Sequence, residues 1–391
     1  MFIEQLNQQD KFFFKNEEVY TIIAWIKNNK ELLQTIADKS RQLKKIPSEY
    51  INVFKDVGFF DLAREKIAGG YGFSSAEQAR VLEEIAKIDT SLSWCIMIGM
   101  DSGIYRGFVP EVVREKFFNK TKSISAGWIH PQGVAKNLGD GYINVTGNWQ
   151  FGSGIDNADI ILGGVKYYKN ESSEEWEWKI IILEKSKVQI NNTWDTWGLE
   201  GSGSQHYSVI DLKVPEDYVF SLSQPYLDGP LYTPQDAILR KMPGIPLGVT
   251  INCLLKAICS IKRKYNFSDQ INTSNQRVLA ILGDVASELL SLRSHVYSSL
   301  LYGWENKDKE NINSSLVHSA GARQRAFSVS RKLVLEISDL LGAQSVYKSQ
   351  GNIGSLISDL NVICQHAVGQ KSIQEMIGYR LIGGNASGPF L

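Results

Sequence analysis

What this chain can fold into is constrained above all by the order in which its residue patterns change. Through about residue 120, apolar side chains recur at helical spacing, as in EEVYTIIAWIKNNKELLQTIADKSRQL, EYINVFKDVGFF and AEQARVLEEIAKI, so each segment presents one apolar face. Asp89 and Thr90 then offer a cap to the apolar run SLSWCIMIGM. From about 121 to 228 short runs of Val, Ile, Trp and Tyr are split by Gly, Asn and Asp, as in GDGYINVTGNWQFGSG, IILGGVKYY, EWKIIILEK and HYSVIDLKVP. Such runs read as antiparallel strands joined by tight turns. From about 229 onward long helical runs return, among them IPLGVTINCLLKAICSIKRKYNF and RQRAFSVSRKLVLEISDLLGAQSVY, a length suited to a bundle that also packs against other subunits. The expectation is an α+β chain: an N-terminal helical domain (1–120), a central antiparallel β domain (121–228) and a C-terminal four-helix bundle (229–391).

Lys plus Arg number 42 and Asp plus Glu number 42, so no overall field favours nucleic acid or an anionic membrane. The first residues mix charges into their apolar positions, unlike a signal peptide. The longest apolar runs read as too short for a membrane span, and a cytoplasmic location is the expectation. Cys95, Cys253, Cys259 and Cys364 show no CxxC spacing and sit in apolar contexts; neither disulfides nor a metal site is expected. No GxGxxG fingerprint follows a strand, so a nicotinamide site in this chain is not expected.

Four segments go further. Gly69-Gly70-Tyr71-Gly72 leads into VLEEIAKIDTSLSW; then come GDGYINVTGNWQFGSGIDNADI, WDTWGLEGSGSQHYSVIDLKVPEDYVF and SDLNVICQHAVGQ. In this order they resemble the acyl-CoA dehydrogenase superfamily. The run Trp149 to Gly154, the GSGS loop and His366 resemble its group D branch, the two-component flavin-dependent monooxygenases. The resemblance implies the acyl-CoA dehydrogenase-like fold, reduced flavin (FMN or FAD) delivered by a separate NAD(P)H-dependent reductase, and O2. It implies hydroxylation of a small aromatic or amine substrate through a C4a-hydroperoxyflavin, in a homotetramer or homodimer. Acyl-CoA dehydrogenases need a positioned carboxylate to take a weakly acidic C–H proton. The C-terminal GYRLIGGNASGPFL, where they commonly carry it, has none, although some place that base on an earlier helix.

Strand alternation puts Trp149, Phe151 and Ser153 on one side of their strand. Two aromatics and a hydroxyl suit a flavin ring, which needs an apolar stacking surface and a hydrogen-bond partner; ordinary sheet core with Ser153 at a strand end is the plainer alternative. By resemblance Phe151 packs on the flavin and Ser153 bonds to it. Trp128, opening a loop that runs to Ala135, and Gly201, Ser202 and Ser204 of the GSGS loop join the cofactor set, with Trp197 on the approach. His130, Trp94 and Asp359 are the expected substrate contacts. His366 and Ser153 are the expected catalytic groups. A helix from about Ser355 to Gln370 would carry Asp359, His366 and Gln370 on one flank, letting His366 deprotonate the substrate or hydrogen-bond the reacting oxygen. Arg323 and Arg325, in RQRAF, read as a solvated basic face. Two rivals remain: an acyl-CoA dehydrogenase-type oxidoreductase, and a catalytically idle ligand-binding member of the fold.

Overall fold

The computed structural model describes residues 1–170, 174–233, 237–264, 276–306 and 312–384. The N-terminal layer comprises α1 (Phe2–Phe13), α2 (Glu17–Asn28), α3 (Lys30–Leu43), α4 (Ile51–Val57), α5 (Ser75–Ala86), α6 (Thr90–Gly99), α7 (Ser102–Tyr105) and α8 (Glu111–Phe117). Helix α5 opens on a capping box, with Ser74 and Glu77 each satisfying the other's backbone N–H. Asp89 caps α6 by accepting from the N–H of Leu92 at 2.9 Å, the role its position before an apolar run predicts.

Every residue of helix α5 except Glu77 is buried, Arg80, Glu83 and Glu84 included. Arg80 donates to both oxygens of Asp10 on α1, at 3.0 and 2.8 Å, and also pairs with Glu84. Glu83 accepts from Arg293 at 2.8 Å and from the hydroxyl of Tyr297 at 2.7 Å, and Arg293 reaches Asp10 as well. Burial alone would raise the pKa of Asp10, but Arg80 and Arg293 hold its carboxyl below the usual range.

The seven strands are β1 (Ser125–Asn137), β2 (Tyr142–Gly152), β3 (Ile160–Tyr168), β4 (Glu177–Glu184), β5 (Gln189–Asn191), β6 (Gln205–Pro215) and β7 (Val219–Phe220), in the order β5-β6-β2-β1-β3-β4-β7. Every neighbouring pair is antiparallel except β1 and β3, which run parallel. The sheet is therefore mixed: after β2 the chain crosses to the far edge of β1 instead of adding another hairpin. Trp149 fills the sheet core. Its indole stacks on Tyr207 at 5.4 Å and 19°, and its N–H donates to the carbonyl of Gly164 at 2.7 Å. Gly163 leaves it room, since a Cβ there would lie 2.7 Å from the indole.

The C-terminal layer holds α9 (Gly244–Lys264), α10 (Gln276–Glu305), α11 (Ile312–Leu341), α12 (Ile353–Ile363) and α13 (Ser372–Leu381). Helix α9 packs against α5 and α11, and α10 against α11. The 20 residues Gly244–Arg263 are long and apolar enough to cross a membrane, which corrects the sequence reading of the apolar runs, but 67% of that stretch is buried. It is apolar because two helical layers close over it. Cys95, Cys253 and Cys364 are buried, whereas Cys259 is exposed, against the apolar setting expected of it.

Candidate active site

Trp94 is the hub. It stands on α6, buried between the helical layers and the end of β2, and its indole N–H donates to Ser153 Oγ at 3.1 Å. Ser153 Oγ lies 2.8 Å from Ser204 Oγ, which lies 2.7 Å from Ser202 Oγ. All three serines are buried, so the sequence Trp94–Ser153–Ser204–Ser202 is a closed row of hydrogen bonds. An indole nitrogen only donates, so Ser153 must accept at that end.

The loop carrying Ser202 and Ser204 enters a tight turn through Leu199 and leaves it through Gly203, both in the left-handed region at φ 52° and 53°. The carbonyl of Ser202 accepts from the N–H of Gly154 at 2.9 Å and from the Cys95 thiol at 3.2 Å. Gly201 lies flat against α3, where a Cβ would come 2.9 Å from that of Ser40. The glycine-permitted close approach is therefore to the protein's own helices. Gly201 and Ser202, expected at a cofactor, serve the packing of the loop, and Ser204 links it to Ser153.

Asp359 anchors the same loop. Its Oδ1 accepts from the N–H of Leu199 at 2.8 Å. Burial, with the Asp89 carboxylate nearby, pushes the Asp359 carboxyl up to about 7. Asp89 itself is bound by Arg41 at 3.1 Å. The structure thus spends the carboxylate on loop backbone, which argues against the substrate-contact role expected of it.

The expected common face of Trp149, Phe151 and Ser153 does not exist. Phe151 has φ 58°, and the β2–β6 register slips between Trp149 and Gly152, so alternation breaks there. Trp149 turns into the core while Phe151 is left 48% exposed. Phe151 meets Trp128 edge-on at 5.2 Å, and Trp128 stacks on His130 at 5.4 Å. His130 in turn meets Trp178 at 6.1 Å and is exposed at the outer end of this aromatic shelf. Trp128's backbone N–H donates to the Tyr207 hydroxyl at 2.7 Å, so that N–H, expected to face a cofactor, is taken. Trp197 is 64% exposed.

His366 is not on the helix expected to carry it. Helix α12 ends at Ile363; tight turns follow, and the side-chain amide of Gln370 donates to the carbonyl of Cys364 at 2.8 Å. His366 has extended backbone and caps a single 3-10 turn, Ala367–Gly369, its Nδ1 accepting from the N–H of Val368 at 3.4 Å. The flank of Asp359, His366 and Gln370 is dissolved. The imidazole instead meets the ring of Trp94 edge-on at 5.8 Å. Burial, aided by the Arg323 guanidinium, lowers its pKa to about 4. Arg323 is fully buried on α11, where a solvated face was expected; only Arg325 is exposed.

A hydroxyl and a neutral imidazole therefore converge on one indole, and two residues before Ser153 begins a half-exposed aromatic shelf. A flavin ring needs an apolar surface and a hydrogen-bond partner at its reacting edge, and Phe151, Trp128 and Ser153 fit that requirement. Sequence reasoning missed Tyr207, Trp178 and Arg323. Neither tyrosine nor arginine had a local signal, because each is placed by pairing or packing distant in sequence. Residues 385–391 of the C-terminal segment lie outside the described residues.

The family model described as acyl-CoA dehydrogenase, N-terminal domain, matches residues 28–121. The chain is 25% identical over 340 residues to an indole-3-acetate monooxygenase of Acinetobacter baumannii, covering 84% of this chain and 86% of that protein. It is 24% identical over 203 residues to HsaA, the oxygenase subunit of a flavin-dependent monooxygenase of Mycobacterium tuberculosis, covering 51% and 50%. Among solved structures it is similar to XiaF from Streptomyces sp. in complex with FADH2 and glycerol, at a TM-score of 0.85 and 18% identity over 96% of this chain and 98% of that one.

Proposed function

We propose that this chain, which has the acyl-CoA dehydrogenase fold and resembles the two-component flavin-dependent monooxygenases, is the oxygenase component of such a pair. As a flavin-dependent oxidoreductase it takes reduced FMN or FAD from a separate NAD(P)H-dependent reductase and, with O2, hydroxylates a small aromatic or amine substrate. The observation that carries this reading is the convergence of Ser153 and His366 on Trp94.

Reduced flavin supplies the electrons that activate O2 for transfer of one oxygen atom. Phe151 and Trp128 would hold the ring, and Ser153, accepting from Trp94 and from Ser204, would keep its O–H to hydrogen-bond the ring's reacting edge. The indole of Trp94 walls the site and, with His130 at the outer end, faces the substrate. Because Nδ1 of His366 accepts from Val368, the proton of the neutral imidazole sits on Nε2. That tautomer favours His366 as a hydrogen-bond donor to the reacting oxygen over His366 as a base. The burial of Trp94, Ser153 and His366 excludes water from these three groups.

The dehydrogenase rival needs a carboxylate base. Asp359, the acid expected beside His366, is bonded to Leu199, and residues 385–391 contain no Asp or Glu.

The test is to mix the anaerobically reduced protein–flavin complex with O2 and follow absorbance between the bands of reduced and oxidised flavin, with product counted per flavin oxidised. His366→Ala should lower coupled hydroxylation by roughly 100-fold, the scale of one lost oxyanion-type donor. His366→Gln, which keeps an N–H donor, should retain most of it. Bleaching of bound oxidised flavin by an acyl-CoA without NAD(P)H would sink the oxygenase reading, and a His366→Gln protein as inactive as His366→Ala would return the histidine to the role of base.

A further inference from the structure

A cavity of about 870 Å3 opens away from the Trp94 cluster, between the α2–α3 corner, the end of α5, the C-terminal half of α9 and the turns that precede α12. Lys27, Lys30, Lys87, Lys256 and Arg263 line it, against one carboxylate, Glu84. That carboxylate is already held by Arg80 at 2.9 Å and by Lys87. Lys27, Lys30, Lys256 and Arg263 have no carboxylate within ion-pair distance among the described residues. Lys27 feels Glu84 only through space, and Lys30, Lys256 and Arg263 face the same cavity without a carboxylate partner, Lys256 half-buried and the other two at its exposed mouth.

Their crowding has a cost. Lys256 is half-buried, and burial, with Lys30 and Arg41 nearby, depresses its pKa; burial and Arg80 do the same to Lys87. An anion in the cavity would offset this positive potential. The rest of the lining identifies the kind of anion. Ile26, Ile88 and Leu255 form an apolar wall, while Asn252 and Gln344 offer side-chain amides. An apolar slab beside amide groups suits a base or other flat ring, and the volume is that of an organic ligand site.

We propose that this cavity binds a nucleoside di- or triphosphate, its phosphates among Lys30, Lys256 and Arg263 and its base against Ile88 and Leu255. The negative charge of such a group complements Lys30, Lys256 and Arg263, none of which has a carboxylate partner among the described residues. The site is separate from the proposed flavin site and stands whether or not the oxygenase reading holds.

The full chain, free of flavin, is titrated calorimetrically with ADP, ATP and inorganic pyrophosphate at about 0.15 M salt, where surface charge is screened within about 8 Å. Saturable binding of ADP or ATP is expected, weakened at least tenfold in Lys30→Gln/Lys256→Gln and unchanged in Ser153→Ala and in Lys332→Gln, a lysine of α11 paired with Glu288 and Glu336. Circular dichroism and thermal midpoints establish that each variant folds. Pyrophosphate binding as tightly as ADP would overturn the nucleoside assignment. No saturable binding of any of the three, or equal binding by the double variant, would overturn the site.

Discussion

His366 and Asp359 are shifted in opposite directions, and their contributions to stability run in opposite directions with pH. The folded imidazole titrates near 4 and the unfolded one near 6.5. Between those values only the unfolded chain binds the proton, so this contribution is lost as pH falls. The folded Asp359 carboxyl titrates near 7 and the unfolded one near 3.9. There the folded chain holds the extra proton, and the contribution is lost as pH rises. Between about pH 4 and 6.5 the two oppose each other; above 6.5 only Asp359 remains. Asp359→Asn keeps an acceptor for Leu199 without a titrating group. Its urea midpoint should therefore gain on the parent's from pH 5 to pH 8; Asp359→Ala should gain in the same way but lie below Asp359→Asn by about 1–3 kcal/mol at both, the cost of an unpaired buried N–H. Equal pH slopes for parent and Asp359→Asn would show that Asp359 is not the titrating group.

At the scale of the element, strand β2 performs two tasks, and the change between them is made at Phe151. Up to Trp149 it is regular sheet core, and beyond the left-handed Phe151 it delivers Ser153 to Trp94. The core half tolerates little. Gly163→Ala would press a methyl group into the Trp149 indole and should cost about 1–3 kcal/mol, as overpacking does, measured as a shift in denaturation midpoint at unchanged m-value. A neutral substitution would mean that the indole is free to move. This strand also divides what the sequence could tell from what it could not. The helical faces, the Asp89 cap and the meeting of β2, the GSGS loop and His366 were legible, because each rests on local spacing or an ordered motif. The Phe151 flip was not, since alternation carries no term for a phenylalanine with positive φ. The early end of α12 was hidden too: the Gln370 amide that meets Cys364 lies beyond the helix it stops. Arg323 looked solvated because an isolated arginine gives no sign of which face its helix buries.

Over the whole molecule the two helical layers are joined by charge as well as by apolar packing. Asp10, Glu83 and Glu84 face Arg80, Lys87 and Arg293, three carboxylates against three cations. Arg293→Met should cost about 3–5 kcal/mol, as breaking a buried ion pair does, while losing the exposed Lys44–Asp195 pair should cost less than 1 kcal/mol; comparing the two variants in one denaturant series checks the contrast. The network also sets a timetable. Asp10 is made among the first residues and Arg293 some 283 positions later, a delay of roughly 15 to 60 s at usual synthesis rates. Until then Glu83 has only the Arg80 guanidinium at 3.5 Å, so the N-terminal layer leaves the ribosome one cation short, and α10 supplies it.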